Sequence, residues 1–236
     1  MLGWVAEKFP QLVRDIAAAG HEIGCHGYAH RRLDTLTPAE FRMDIRKALD
    51  LLTHQVQKPI DCYRAPSFSI VRSTMWALEI LSEEGFRVDS SIFPVHHDLY
   101  GVPDAQRFPH WQHPTRGVNI FEFPPSTFRY RNRNWAVAGG GYLRLFPYGL
   151  TRRAIQHINN VERQPAMVYF HPWEIDPGQP QIRASLRSRL RHYVNLSTTE
   201  PKIDRLLRDF DFTTLSSACA QHSLLSPASM SPVPAI

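Results

Sequence analysis

HEIGCHGYAH, residues 21–30, decides how this chain is read. A short apolar run reaches Cys25, and then two imidazoles, His26 and His30, stand four residues apart in a segment broken by Gly27. This is the pattern of a strand whose polar exit carries a divalent-metal site, and imidazole suits zinc and its transition-metal neighbours. A metal-activated water points to hydrolysis. Such a site also needs a carboxylate ligand and a general base, and the chain begins only 25 residues before His26. A metalloprotease helix is excluded, because Cys25 stands where the second His of H-E-x-x-H should follow His21-Glu22.

Outward from this stretch, the elements alternate. Trp4, Val5, Phe9, Leu12, Val13, Ile16 and Ala17 recur at helical spacing over 4–19, and Gly20 ends the run. Residues 21–26 then read as a strand. Thr37-Pro38-Ala39-Glu40 is a capping box that opens a helix to about Thr53. Residues 59–64 read as a strand, 72–84 as a helix closed by Gly85, and 86–89 as a strand. Helix and strand in strict alternation signal parallel α/β architecture. The first element is a helix, so the strand that should precede it is missing. Functional groups in such folds gather at strand C-terminal ends. His26, His30, Arg64, Asp89 and His171 all fall at or just after such ends.

Beyond residue 93 the chain is rich in Pro, His and aromatics, with long loops around a strand at 120–123. Gly139–Gly141 reads as a loop. No Lys-Ser/Thr follows it, so it is not a phosphate-binding loop. Helices are expected over 151–160 and 200–208, and a buried strand over 166–170. The tail from about Ser216 to Ile236 is low in complexity and is read as disordered.

At 236 residues and 43% hydrophobic content, one domain with a sizeable core is the natural expectation. The sequence holds no apolar run long enough for a membrane span. Glu7, Lys8, Arg14 and Asp15 interrupt the N-terminal stretch, which excludes a signal peptide. Three widely spaced cysteines, Cys25, Cys62 and Cys219, read as reduced thiols of a cytoplasmic protein. The net charge is +5, with Arg concentrated at 129–133 and 183–191. No nucleic-acid-binding motif accompanies those arginines, so a solvated face or an anionic polymer is favoured over nucleic acid.

Two further segments carry candidate chemistry. In Tyr63-Arg64-Ala65-Pro66-Ser67, an Arg at a strand exit can hold a carboxylate through its fork. In Tyr169-Phe170-His171-Pro172-Trp173-Glu174, a His held by a following Pro is placed as a general acid.

Together these segments resemble the polysaccharide deacetylases, metal-dependent carbohydrate esterases that remove acetyl groups from polymers. HGYAH is similar to the family's metal-binding H-x-x-x-H motif, YRAPS to its Arg-x-Pro motif, and YFHPWEI to the segment of its catalytic His. RAPSFSI, DSSIFPV, FPPST, AGGGYLRLFPY, HPWEIDP and RHYVNL resemble the subfamily found beside exosortase/PEP-CTERM exopolysaccharide loci. The resemblance implies a distorted (β/α) barrel over residues 1–215, incomplete because its first strand is lacking, with about 95–215 as a subfamily-specific part. It implies His26 and His30 as ligands of a divalent metal, most simply Zn²⁺. It implies His171 as the acid that protonates the leaving amine, Arg64 as the residue that orients the base, and the backbone N–H of Ser67 as an oxyanion donor. Asp89 and Glu174 would tune His171, and Tyr142 and Trp173 would stack on sugar rings. The substrate would be an N-acetylated polysaccharide or oligosaccharide. The family's first motif, an adjacent Asp pair that supplies the base and the third metal ligand, has no counterpart here. The chain therefore reads as N-terminally truncated, with little deacetylase activity as written. A non-catalytic carbohydrate-binding remnant of the same fold is the alternative.

Overall fold

The computed structural model describes residues 1–115, 118–181 and 192–221. The helical run at the N-terminus is broken in two, α1 (Gly3–Lys8) and α2 (Pro10–Ala18). The break falls at Phe9-Pro10, because Pro10 has no N–H to continue the ladder and restricts the residue before it. The break also turns Trp4, Phe9 and Leu12 outward, so three positions of the expected apolar face are exposed. Helix α3 (Pro38–Val56) starts as expected, with Thr37 and Glu40 capping each other reciprocally. Its Phe41, Ile45, Ala48 and Leu52 are buried at helical spacing. The expected helix over 72–84 resolves into a 3₁₀ turn at Arg72–Thr74 and α4 (Trp76–Glu83).

A small sheet carries the site. Strands β1 (Cys62–Tyr63), β2 (Val88–Asp89) and β4 (Ile120–Glu122) are parallel neighbours, and β3 (His110–Gln112) closes the edge antiparallel to β4. The expected strand at 21–26 contributes only a parallel bridge, Cys25 to Tyr63. Its other edge bonds the N-terminal residue: Met1 N to Gly24 O at 2.5 Å, and His26 N to Met1 O at 2.9 Å. Tyr169 pairs in parallel with Gly139. The expected buried strand at 166–170 is instead a half-exposed extended segment, with Phe170 43% exposed, because it is paired on one side only.

The loop-rich middle holds an unforeseen hairpin, β5 (Thr127–Tyr130) and β6 (Arg133–Ala136), turning at Arg131-Asn132 with positive φ at both. The glycine run opens α5 (Gly140–Leu145) rather than remaining a loop, and α6 (Tyr148–Asn160) and α7 (Thr199–Asp209) follow. Residues 215–221 form a helix, α8, where disorder was expected to begin; residues 222–236 and the basic stretch 183–191 lie outside the described residues. All three cysteines are free and buried, and burial pushes the Cys25 thiol up to about 11 and that of Cys219 to about 12. No described helix is long and apolar enough to cross a membrane.

Gly139 is required by its neighbour rather than by its backbone angles, since a Cβ there would lie 2.2 Å from the Tyr169 ring and 2.5 Å from its carbonyl. Gly139→Ala should therefore destabilise by about 1–3 kcal/mol through overpacking. Gly149→Ala, in open space on α6, should stabilise by about 0.5–1 kcal/mol through helix propensity. Chemical denaturation of the two variants checks both, and equal effects would refute the steric account.

Candidate active site

The two histidines of HGYAH sit in a loop held from below by a residue that pattern reading missed. Asp44 on α3 accepts hydrogen bonds from Tyr28 N (2.7 Å) and Ala29 N (3.2 Å). Gly27, at φ +73°, lets the loop close over this carboxylate, because a Cβ there would stand 2.8 Å from Asp44 Oδ2. The signal was an acid beside the apolar stripe of α3, next to Ile45, where a solvated face was not required.

His26 is half-buried, and its Nδ1 lies 2.6 Å from the Arg64 carbonyl. Burial drives its pKa down to about 3, outweighing the pull of that carbonyl, so the ring is neutral at neutral pH. A neutral ring beside a carbonyl carries its proton on Nδ1 and donates it there, which leaves the Nε2 lone pair for a ligand. His30 is exposed, with positive φ, and its ring centroid lies 5.1 Å from that of His26. Burial also lowers the His30 pKa, and the charge of His171 adds to the effect. His171 is thus an electrostatic neighbour of His30 across about 140 residues of sequence. The two imidazoles suit the nitrogen ligands of a divalent metal. Among the described residues no carboxylate stands with them to complete a set of three. The nearby-ligand cluster that does occur, Glu22, Asp61 and Cys62, precedes the strand exits and ties down Ser216 of α8.

Arg64 points inward. Its Nε donates to the Ser90 carbonyl (3.0 Å) and its Nη2 to the Ser90 hydroxyl (2.7 Å), so its fork holds no carboxylate, contrary to expectation. The guanidinium lies 5.8 Å from the Phe68 ring centre and 6.0 Å from that of Tyr169. Ser67 is exposed at φ 54°, and Phe68 follows at φ 51°, a left-handed pair directly after the Pro66 turn.

His171 is exposed, and Glu174 beneath it is fully buried. Glu174 Oε1 accepts from the His171 backbone N–H (3.0 Å) and faces its Nδ1 at 2.7 Å. Oε2 accepts from Arg144 Nε at 2.8 Å. Burial by itself raises the Glu174 pKa, but the His171 bonds and the charges of His171 and Arg144 outweigh it and hold the group ionised. Arg144, only 3% exposed in the otherwise apolar α5, was not foreseen. The Trp173 ring is stacked against His171 (5.6 Å) and His192 (4.1 Å), with Arg144 4.9 Å from its centre. Trp173 therefore braces His171 instead of offering a free face to a sugar. Tyr142 is half-buried against the Phe68–Phe93 cluster.

Asp89 does not reach His171. It faces Glu122 across paired strands, and both are fully buried. Asp89 Oδ1 accepts from the Ser91 hydroxyl at 2.5 Å, and Glu122 Oε1 from the Ile92 N–H at 3.0 Å. The remaining oxygens, Asp89 Oδ2 and Glu122 Oε2, have no donor unless they share a proton. Burial raises the pKa of both, and the Asp89 charge raises that of Glu122 further. One proton between two carboxyls satisfies both oxygens and leaves a single negative charge within range of Arg64.

Residues 1–88 match the polysaccharide deacetylase family, and residues 90–220 match a domain of unknown function, DUF3473. The longer match places the chain in the DUF3473 family, and its first 88 residues are similar to the polysaccharide deacetylases. Its N-terminal part is 36% identical over 80 residues to a peptidoglycan-N-acetylglucosamine deacetylase of Bacillus cereus, covering 34% of this chain and 29% of that protein. The chain spans between 28% and 31% of the length of the curated relatives it matches. The fold matches a probable polysaccharide deacetylase of Pseudomonas aeruginosa PAO1 (TM-score 0.56, 14% identity, 96% of this chain and 67% of that one). It matches PuuE allantoinase equally (TM-score 0.59, 15% identity, 96% and 67%). The architecture is that of the incomplete barrel expected from the sequence.

Two predictions follow from the groups that sequence reading missed. Asp44→Ala should cost about 1–3 kcal/mol by orphaning two loop N–H groups and weaken divalent-metal binding by about 10–100-fold. Denaturation and zinc titration check this, and unchanged zinc affinity would remove Asp44 from the site. The carboxyl pair predicts a pH effect of definite sign. Above the ordinary Glu value of 4.5 the unfolded chain loses a proton that the native pair keeps. Stability should then fall as pH rises, by about 1.4 kcal/mol per unit, until the pair itself ionises. Glu122→Gln, which keeps the hydrogen bond without the titration, should flatten that slope in pH-dependent denaturation; an unaltered slope would refute proton sharing.

Proposed function

We propose that this chain is the deacetylase part of a metal-dependent hydrolase that removes acetyl groups from N-acetylated sugars of a polysaccharide. The single observation that supports this most is that His171, with its Glu174–Arg144 support, lies within electrostatic range of His30, whose ring packs against that of His26. His26 and His30 would hold the divalent ion, for which zinc is the simplest choice given two neutral imidazoles. Bound there, the ion supplies Lewis acidity toward a carbonyl and a water.

The chain's own groups supply the rest. With Nδ1–H directed at Glu174, His171 presents Nε2 outward and gives its proton to the departing amine nitrogen. The Glu174 carboxylate fixes that orientation and stabilises the imidazolium, while its bonds from His171, with the charge of Arg144 added, keep the buried carboxylate ionised. Arg64 holds the floor of the site by fixing Ser90 with its side chain and His26 with its carbonyl. The left-handed Ser67 puts its backbone at the rim as the oxyanion donor, and Tyr142 lines the sugar side. The base and the third metal ligand require a carboxylate that the described residues do not bring to the histidines. The buried, unpaired thiols favour a reducing compartment, the cytoplasm, and the likeness of segments between residues 64 and 196 to exosortase-associated sequences favours exopolysaccharide assembly.

The test is acetate release from a chitooligosaccharide with added zinc. It compares the chain as it stands with a version carrying an Asp-Asp strand ahead of Met1. The extended version should turn over at least about 10²-fold faster, the contribution of one acid/base group. Comparable turnover would refute the need for that carboxylate, and no release from either would sink the deacetylase reading. In the extended version His171→Ala should cost about 10²–10⁴-fold in kcat.

A further inference from the structure

From Phe123 to Val161 the chain contains six arginines and not one Asp or Glu. Arg144 is consumed by Glu174, and Arg152 is paired with Asp209 at 2.8 Å. Arg129, Arg131, Arg133 and Arg153 are exposed and have no ion-pair partner among the described residues. They are interleaved with large apolar side chains that the fold leaves in solvent: Tyr130, Trp135, Leu145 and Leu150, each about half exposed.

The arrangement has a physical cause. The β5–β6 hairpin is a two-stranded sheet of its own, not joined to the main one. Its register pairs Phe128 with Trp135 and Tyr130 with Arg133, so one face carries three aromatics, and Arg131 at the turn lies 5.4 Å from the Tyr130 ring centre. That face and helix α6 enclose an open, almost wholly apolar cavity of about 510 Å³, lined by Phe128, Tyr130, Trp135, Phe146 and Leu150. None of His26, His30, Arg64 or His171 borders it. An isolated hairpin of this kind is marginal by itself, and a free apolar cavity beside unpaired cations marks an interaction surface.

We infer that the β5–β6 hairpin and the adjoining face of α6 dock this protein on an anionic phospholipid bilayer. Aromatic rings alternating with arginines match the headgroup boundary, where amphipathic side chains anchor and cations meet lipid phosphates. The cavity supplies room for acyl carbon. Charge complementarity selects the occupant: four exposed arginines without an ion-pair partner among the described residues, on a 39-residue stretch that contains no Asp or Glu, suit a uniformly negative partner. A nucleic acid would use the arginines but leave the cavity unfilled. The inference does not depend on the deacetylase reading, because the surface is separate from the histidines.

The experiment is co-sedimentation of the full chain with vesicles, either phosphatidylcholine alone or with about 30 mol % phosphatidylglycerol to set an anionic surface. Binding is expected only to the anionic vesicles, and high salt should weaken it. At about fivefold per arginine near the surface, the triple variant R129E/R131E/R133E should bind at least about 100-fold more weakly. The pair Tyr130→Ser and Trp135→Ser, which keeps every charge, should also lose at least about tenfold by removing buried apolar area. Melting temperatures of these surface variants are expected to match the parent. Equal binding to neutral vesicles, parent-like binding by the triple variant, or indifference to loss of the aromatics would overturn the proposal. So would displacement from vesicles by duplex DNA at equal phosphate, or burial of the hairpin in a dimer.

Discussion

Arg64 is the joint on which the site turns. Its carbonyl fixes the His26 ring, and its guanidinium reaches inward to the carbonyl and hydroxyl of Ser90. A cation directed into an interior must be compensated or it destabilises the fold. Here the compensation is diffuse: two neutral oxygens, two aromatic rings, and one negative charge shared by Asp89 and Glu122. The backbone around Arg64 therefore cannot move without disturbing the His26 ring on one side and a buried carboxyl pair on the other.

That carboxyl pair also joins the two halves of the molecule. Residues 1–88 bring the H-x-x-x-H loop and Arg64, and residues 90–220 bring Glu122, Arg144, His171 and Glu174. Asp89 lies between the two segments, and its strand pairs in register with that of Glu122. A shared proton across this boundary is a strong, directional link in a dry setting. The second half then builds its own support for His171. Glu174 is ionised because His171 and Arg144 both bond it, and Trp173, itself backed by His192, stacks against the imidazole.

The same locality explains where pattern reading stopped. The capping box at Thr37 and the buried stripe of α3 were legible because they need only neighbours three or four residues away. The strands were legible as apolar runs, but their lengths were not, since a strand extends only as far as a partner lies beside it. Residues 21–26 and 166–170 each have too little pairing to be more than a bridge. The β5–β6 hairpin was hidden because Arg131-Asn132 is a weak turn signal compared with Asn-Gly. Trp173 was expected to meet sugar, but stacking by His192 from 19 residues downstream covers it.

The sequence by itself determined the alternation of helix and strand, the placing of two imidazoles, His26 and His30, four residues apart after an apolar run, and the family likeness of three short motifs. Those depend on spacing and residue type, which a linear text records. Only the tertiary structure decided that Asp44 carries the histidine loop, that Arg144 bonds Glu174, that Asp89 meets Glu122 rather than His171, and that Arg64 bonds a serine rather than a carboxylate. Each of these is an ionisable group's choice of a partner distant in sequence. Burial and register fix that choice, because a charge removed from water takes whichever counterpart the packing brings within reach.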